Sequence, residues 1–338
     1  MNVDVSWTDE VDRYLDALGR GDRQSALGQV RALRADGHDV LVLIQRLLGP
    51  AQLRVGELWV ADTWSVAQEH AATAISEAVL TTLAVERELT AVPAADAPSV
   101  VVSCVEQEWH ALPALMVAEH LRAEGFAVSY LGANSSAQGL VRHVHDLGPR
   151  AVLLSCSLSA FLPLARRQIE AVRETGTPVV VGGSGFDPDG RRAATLGANA
   201  SATAAERVAD VVRRLPSAVP PAPALTHEGA EEAFLVFGDR ERLAEEAQRR
   251  LLAGLGLPSG GPSTGWVRVL DDQLPHLVGS VAGALVSDDR SIVTDGLAWA
   301  GVVLRHRSAP DGTEPALRRS LAEALSGLPV ASRLLADA

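Results

Sequence analysis

Four mainly apolar runs, at residues 99–105, 127–131, 151–155 and 178–181, alternate with helical stretches at 113–124, 137–147 and 162–174. Strands that read as continuous hydrophobic runs are buried on both faces, the pattern of a parallel sheet covered by helices. A weaker run near 199–203, followed by a helix at 205–215, predicts a fifth strand. Residues 97–217 are therefore expected to form a five-stranded doubly wound, flavodoxin-like α/β domain. Open sheets of this kind bind ligands at the carboxyl ends of their strands, so the chemistry should lie in the loops that follow them.

On either side the chain reads as helix only. Segments 9–18, 23–35, 41–59 and 66–89 carry apolar residues at three- and four-residue spacing and are separated at Gly19-Arg20-Gly21, Gly37 and Asp62-Thr63. Short links between four helices predict an up-and-down bundle over residues 1–92. Residues 91–98 are a linker by composition, and the proline-rich stretch 216–223 is an extended one. Beyond it, helices are expected at 228–255, 266–285, 291–307 and 314–326, making a helical domain of residues 226–338. The fold class is thus α/β plus all-α: helical bundle, doubly wound sheet and C-terminal helical domain.

Composition excludes several functions. A net charge of −12 opposes a nucleic-acid surface, which needs clustered positive charge. No apolar run reaches the length of a membrane span, and no basic region followed by an apolar run opens the chain, so neither a membrane anchor nor a secretory signal is expected. The cysteines, Cys104 and Cys156, lie inside apolar strand patterns and read as buried residues of a reduced, cytoplasmic protein. There is no lysine, which removes Schiff-base chemistry and lysine phosphate cradles together.

Two short constellations carry the chemistry. In the bundle, Trp59 is followed after nine residues by Glu69-His70. Ser65 and Gln68 form a capping-box pattern, so a helix should start at Val66 and place Glu69 and His70 near its amino end. The helix dipole there favours a carboxylate and a neutral imidazole, which can accept a hydrogen bond or bind a metal. The plainer alternative is a core tryptophan beside two surface residues.

The second constellation, Glu108-Trp109-His110, follows the first strand. A carboxylate near a ligating histidine holds its second ring nitrogen and raises its basicity. Ser155 and Ser157 follow the third strand, and Gly182-Gly183-Ser184-Gly185 follow the fourth. These would let a ligand approach the backbone and would bond a polar tail. A surface histidine beside an ordinary glycine turn is the plainer alternative. Other ligands of such sheets fit less well. Glu106 and Glu108 would repel a flavin phosphate, the acidic residue and lysine of a phospho-receiver are missing, and no G-x-G-x-x-G follows the first strand. Two imidazoles on two domains suggest one flat metal cofactor gripped from both faces.

Together these residues resemble the cobalamin-binding module of methionine synthase and of corrinoid methyl carriers, marked by D-x-H-x-x-G, S-x-L and G-G. The counterparts are Glu108-Trp109-His110-Ala111-Leu112-Pro113, Ser155-Cys156-Ser157 and Gly182-Gly183. Glutamate for aspartate, proline for glycine and serine for leucine are departures. Trp59-x9-Glu69-His70 resembles the light-sensing adenosylcobalamin proteins of the CarH/LitR type, and the likeness covers about residues 10–215. It implies that His110 is the lower cobalt ligand and that Ser155, Ser157, Gly182 and Gly183 accommodate the nucleotide tail. Trp59 and Glu69 would pack on the adenosyl group, and His70 would take the upper position after light. The DNA-binding helix-turn-helix domain of those proteins is not expected here.

The domain order is similar to that of the photocobilins, which pair adenosylcobalamin with biliverdin. That likeness makes Trp266, His276, Trp299, Arg305, His306 and Arg307 candidate contacts for a non-covalent bilin, because arginine and histidine suit propionates and tryptophan suits a flat ring. A dimerisation core around the tryptophans and a solvated face for Arg305, His306 and Arg307 are the alternatives. The expectation is a light sensor, not an enzyme, which forms light-dependent homo-oligomers (dimer or tetramer) and acts on an unidentified effector protein. The alternative is a corrinoid methyl carrier of a methyltransferase system.

Overall fold

The computed structural model describes residues 6–88, 94, 96–202, 207–258 and 265–336. Residues 91–93 and 95 of the first linker, 259–264 of the C-terminal break, and Thr203, Ala205 and Glu206 near the fifth strand lie outside them. The chain divides into two compact units, one of residues 1–98 with 112–128 and the other of 99–111 with 129–338.

The first unit is built from the helices α1 (Trp7–Gly19), α2 (Arg23–Ala35), α3 (Val40–Leu43), α4 (Gly49–Val60) and α5 (Val66–Glu88), with α6 (Ala111–Ala123) from further along the chain. Side-chain caps start the first three: Ser6, Asp22 and Asp39 each accept a backbone N–H three residues on. The single helix expected over 41–59 is interrupted by a π-helical turn, Ile44–Leu48. Pro50 follows it with no N–H to return to the preceding turn, and the ladder widens there. The predicted capping box is present: Gln68 N donates to Ser65 Oγ at 3.3 Å and Ser65 N to Gln68 Oε1 at 3.0 Å. Tyr14, Leu18, Val30, Leu47, Val55, Val79 and Leu80 are among the side chains that fill the bundle core. Arg87 of α5 pairs with the buried Glu119 of α6 at 3.1 Å.

In the second unit, β1 (Ser99–Cys104), β2 (Ala127–Gly132), β3 (Ala151–Ser155), β4 (Val179–Gly182) and β5 (Ala200–Ser201) form one sheet in the order β2-β1-β3-β4-β5. The β1–β3, β3–β4 and β4–β5 pairs are parallel. This is the five-stranded doubly wound order expected, with its switch point between β1 and β3. Helices α7 (Ala137–Leu147), α8 (Leu162–Glu174), α9 (Arg191–Thr195) and α10 (Val208–Arg214) lie between or after the strands, and a short 3-10 turn, Ser159–Phe161, leads into α8. Register brings Cys104, Ser155 and Gly182 into one row across three strands. The loops after β1, β3 and β4 therefore start at the same level.

The remaining helices are α11 (Ala230–Gly238), α12 (Arg240–Gly254), α13 (Trp266–Ser287), α14 (Ser291–His306), α15 (Thr313–Ala324) and α16 (Pro329–Ala336). The helix expected over 228–255 is two helices, broken at Asp239, whose backbone (φ −109°, ψ 13°) leaves helical geometry just after Gly238. These helices share one apolar core with the sheet, from Val101 and Val152 through Phe161 and Leu162 to Val278, Leu317 and Leu335. The proline-rich stretch is strapped down. Arg173 Nε donates to Pro220 O at 3.0 Å and the buried Arg166 Nη2 to Pro223 O at 2.6 Å. Among the described residues no helix is long and apolar enough to cross a membrane.

Candidate functional site

The loop after β1 is held in an unusual shape. Gln107 and Asn134 both have left-handed backbones, with φ 66° and 52°, a region that costs energy for residues with a Cβ. They brace each other, since Gln107 N donates to Asn134 Oδ1 at 2.9 Å and Asn134 N to Glu108 O at 3.0 Å. Gln168, fully buried on α8, adds a clamp: it accepts from Glu106 N at 3.0 Å and donates to Ser135 O at 2.8 Å.

That loop presents one imidazole on one buried carboxylate. The Glu108 side chain is 0% exposed, whereas His110 is 55% exposed. Glu108 Oε1 accepts from His110 Nδ1 at 2.6 Å and from His110 N at 3.0 Å. Its Oε2 accepts from Ser157 N at 2.7 Å and Leu158 N at 3.0 Å. Burial, the strongest influence, pushes the Glu108 pKa up; the hydrogen bonds and charge of His110, with the Leu158 amide, outweigh it and leave the carboxyl below its ordinary value. An ionised carboxylate only accepts, so Nδ1 carries the ring proton and a metal bound by this ring is bound through Nε2. The neighbouring Trp109 is 71% exposed.

Ser155, Ser157, Gly182 and Gly183 lie together at the ends of the neighbouring strands β3 and β4, where Ser157 N reaches the Glu108 carboxylate, and all four are half-buried. A Cβ on Gly182 would stand 2.6 Å from Ala202 O, and one on Gly183, whose φ is 98°, would collide with Cys156 O. Both glycines are thus required by the close approach of neighbouring backbone. Ser184 Oγ donates to Ser157 O at 2.8 Å and closes the β4 loop on the β3 loop.

In the first unit, His70 is 73% exposed and its Nδ1 is hydrogen-bonded to Glu69 Oε2. The other Glu69 oxygen accepts from Thr73 Oγ1 at 3.1 Å. Thr73 also meets Gln52 Oε1 at 3.2 Å, and Gln52 Nε2 donates to Ser76 Oγ at 2.8 Å, which Tyr14 OH reaches at 3.3 Å. A polar chain therefore leads from the buried Tyr14 to the exposed His70. Trp59, near the end of α4, is half-buried. The two carboxylate–imidazole pairs are alike in design, one on each unit.

The C-terminal candidates are spread along two helices. Trp266 starts α13 and packs against the core. His276, ten residues on, meets the Phe161 ring edge-on at 5.8 Å. Trp299 is part-exposed on α14. At the end of that helix Arg305 pairs with Glu314 at 3.6 Å, Arg307 donates to Val303 O at 3.0 Å, and His306 is exposed. A small cleft among α13, α14, α15 and α16, lined by Leu277, Ser280, Ile292 and Leu297 among others, has a cavity volume of only about 10 Å³.

Sequence reasoning missed Gln107, Asn134 and Gln168, which shape the β1 loop. Only the Asn-Ser-Ser run after β2, a turn composition, offered a signal for any of them. Among the described residues no three His, Cys, Asp or Glu side chains cluster to hold a bare ion. A corrin supplies four nitrogens itself and asks the protein for one, which a carboxylate-held imidazole over a glycine-rich loop can give.

Comparison with known proteins agrees. Residues 10–84 and 98–212 each match a family described as B12 binding domain. The chain is 33% identical over 147 residues to the HTH-type transcriptional repressor CarH of Myxococcus xanthus, a stretch covering 43% of this chain. It spans about half that relative's length, 48%. In fold, the monomethylamine corrinoid protein of Methanosarcina barkeri is similar, with a TM-score of 0.51 and 18% identity over 60% of this chain and 97% of that one. Residues 10–84 and 98–212 are accordingly B12-binding domains, one helical and one α/β, and the chain is a cobalamin-binding protein.

Proposed function

We propose that this protein is a light sensor that uses adenosylcobalamin, and that it is not an enzyme. The observation that carries the reading is the pair of carboxylate-held imidazoles, His110 on Glu108 and His70 on Glu69, one in each B12-binding domain. A carrier of methyl groups would need one protein ligand for such a cofactor, which His110 alone could supply, whereas a sensor would gain from a second imidazole, His70, held ready for the metal. The bound cofactor would supply a light-labile cobalt–carbon bond. The protein's part is to hold His110 Nε2 ready on its buried carboxylate, orient His70 by Glu69, and seat the tail by Ser155, Ser157, Gly182 and Gly183. By the resemblance described above, Trp59 and Glu69 pack on the adenosyl group.

The output we infer is a change in self-association, dimer or tetramer, read by an effector protein. The buried thiols of Cys104 and Cys156, neither in a disulfide, suit a reducing compartment such as the cytoplasm. The C-terminal bilin candidates sit at separate places on two helices, so the proposal stops at the corrinoid. A corrinoid methyl carrier is the rival; it uses Glu108 and His110 in the same way and leaves Glu69-His70 without a task.

The test is visible absorbance of protein loaded with adenosylcobalamin, in the dark and after green light, for the native chain and for His70→Ala. Native protein should change to a spectrum with nitrogen at both axial positions, and His70→Ala should end with water at the upper one. Size-exclusion chromatography should show a mass change on illumination in the native protein. Dark and lit proteins of equal mass, with a lit spectrum indifferent to His70→Ala, would defeat the proposal.

A further inference from the structure

The C-terminal segment reaches the loops after β1, β3 and β4, the last of them through Arg192 of α9. On the β1 loop, Arg240 Nη2 donates to Gln107 Oε1 at 2.9 Å. On the β3 loop, Gly279 and Gly283 of α13 lie so close that a Cβ on the first would stand 2.8 Å from Ala160 Cβ and one on the second would strike Ser159 O. On the β4 loop, Arg192 Nη1 donates to Gly185 O at 3.0 Å while its Nε pairs with Asp289 at 2.8 Å. The last two attachments are docking contacts. The first acts on the backbone that aims the metal ligand.

We propose that Arg240 is a positioning residue for His110: from the first turn of α12 it holds Gln107, and with it the loop that points the imidazole, so that the C-terminal helices and corrinoid affinity are coupled. The inference rests on the reading of His110 as the ligand of a corrinoid metal.

Gln107 is the point of leverage. Its left-handed backbone lasts only while its surroundings enforce it. Two groups do so: Asn134, which takes its N–H, and Arg240, which takes its side-chain oxygen. Gln107 also immediately precedes Glu108. A turn of its backbone swings the peptide that carries the carboxylate, and the carboxylate carries the ring.

Arg240 is fixed well enough to act in this way. Its guanidinium stacks over the Phe237 ring, 4.4 Å from the centroid, and its Nη1 donates to Phe237 O at 3.0 Å. A planar fork held on one side presents its other arm in a set direction. The break at Asp239 makes the geometry possible, because it ends α11 and places Arg240 at the start of a new helix. Coupling of this kind is reciprocal: if Arg240 favours the ligating geometry, ligation stabilises the contact to α12 by the same factor.

The experiment uses the full chain titrated with hydroxocobalamin, followed by visible absorbance. His110→Ala is the control for the underlying reading. If the native chain and His110→Ala bind with the same spectrum and affinity, that reading fails at its root. With histidine ligation present in the native chain, Arg240→Ala should weaken binding several-fold, in the lower part of the 10- to 100-fold range typical of groups that orient a ligating histidine. Part of the bound cofactor should then show a non-histidine spectrum. Gln107→Ala should do the same, and the double variant should be no worse than either single one. Arg240→Lys, which keeps charge without the fork, should fall between. Circular dichroism checks folding; if Arg240→Ala is unfolded, Arg240→Lys and Gln107→Ala carry the test. Variants that bind within twofold of native with unchanged spectra, or losses that add in the double variant, overturn the proposal.

Discussion

Glu108 Oε2 accepts a hydrogen bond of 2.7 Å from the Ser157 amide, so the carboxylate that orients His110 also ties the loop after β1 to the loop after β3. The departure from aspartate has a physical sense here. One more methylene lets a single side chain serve its own loop through Oε1 and the next through Oε2. The partner on the β3 side is backbone N–H, which any residue but proline supplies. Serine at the third position of the middle motif is therefore no obstacle.

Replacing Glu108 by glutamine keeps the shape and removes the fit. An amide has one acceptor atom, so its NH2 must face either His110 or the amides of Ser157 and Leu158. Binding of hydroxocobalamin to Glu108→Gln should be roughly 10- to 100-fold weaker, and the clash of donors should lower stability by about 1–3 kcal/mol. Absorbance titration and urea unfolding read the two effects. Native affinity in the variant would show that Glu108 does not serve the ligand.

Much of this site was legible in advance because it rests on local rules. Mainly apolar runs marked the strands, and Glu108-x-His110 sits where a doubly wound sheet ends its first strand. The Ser65–Gln68 capping box fixed the start of α5 within its first residue. What stayed hidden depends on contacts distant in sequence. Gln168 reaches Glu106 across 62 positions and Arg240 reaches Gln107 across 133. The break at Asp239 was missed because the flanking stretches keep the apolar spacing of one helix. Gly182 and Gly183 were expected to make room for a ligand, and the neighbours they accommodate are backbone atoms of Ala202 and Cys156.

Gly183→Ala isolates that last point. The new methyl meets Cys156 O and the φ of 98° is unfavourable for alanine, so two penalties act together. At Gly176 the φ is 82° and nothing lies within 4 Å of a Cβ, so only the backbone penalty remains. We expect Gly176→Ala to cost about 1–2 kcal/mol and Gly183→Ala at least about 1 kcal/mol more, by urea or thermal unfolding. Equal costs would mean that the β4 loop moves aside freely.

Acid should loosen the attachment of the C-terminal helices. Burial raises the pKa of Asp289, but hydrogen bonds from Arg192 and Ser291 and the charge of Arg192 outweigh it, leaving it below its ordinary value. A depressed folded-state pKa gives stability that is present above the unfolded value and is lost as pH falls through the folded one. Asp289→Asn should remove part of that acid-side loss and cost about 1–3 kcal/mol near neutrality, because the largely buried Arg192 loses its charged partner. Urea midpoints between neutral and acid pH measure both. A variant with the native acid slope would show that Asp289 does not contribute.

The opposite end of the pH range reports on the polar chain in the bundle. Tyr14 is fully buried, and burial raises its pKa from 10.0 to about 12, against a smaller opposing effect of its hydrogen bond to Ser76. An unfolded tyrosine loses its proton near the ordinary value, so between those two values the folded chain holds more protons than the unfolded one. Stability must then fall as pH rises through this window, by about 2–3 kcal/mol for a shift of that size. Tyr14→Phe should flatten the fall, and at neutral pH it should cost about 1 kcal/mol for the lost hydrogen bond to Ser76. It also removes the buried end of the chain that continues through Ser76, Gln52 and Thr73 to Glu69. If that chain steadies His70, Tyr14→Phe will slow or weaken upper-position ligation after light while leaving dark binding at His110 unchanged. A phenylalanine variant with the full alkaline loss of stability would place the titrating group elsewhere.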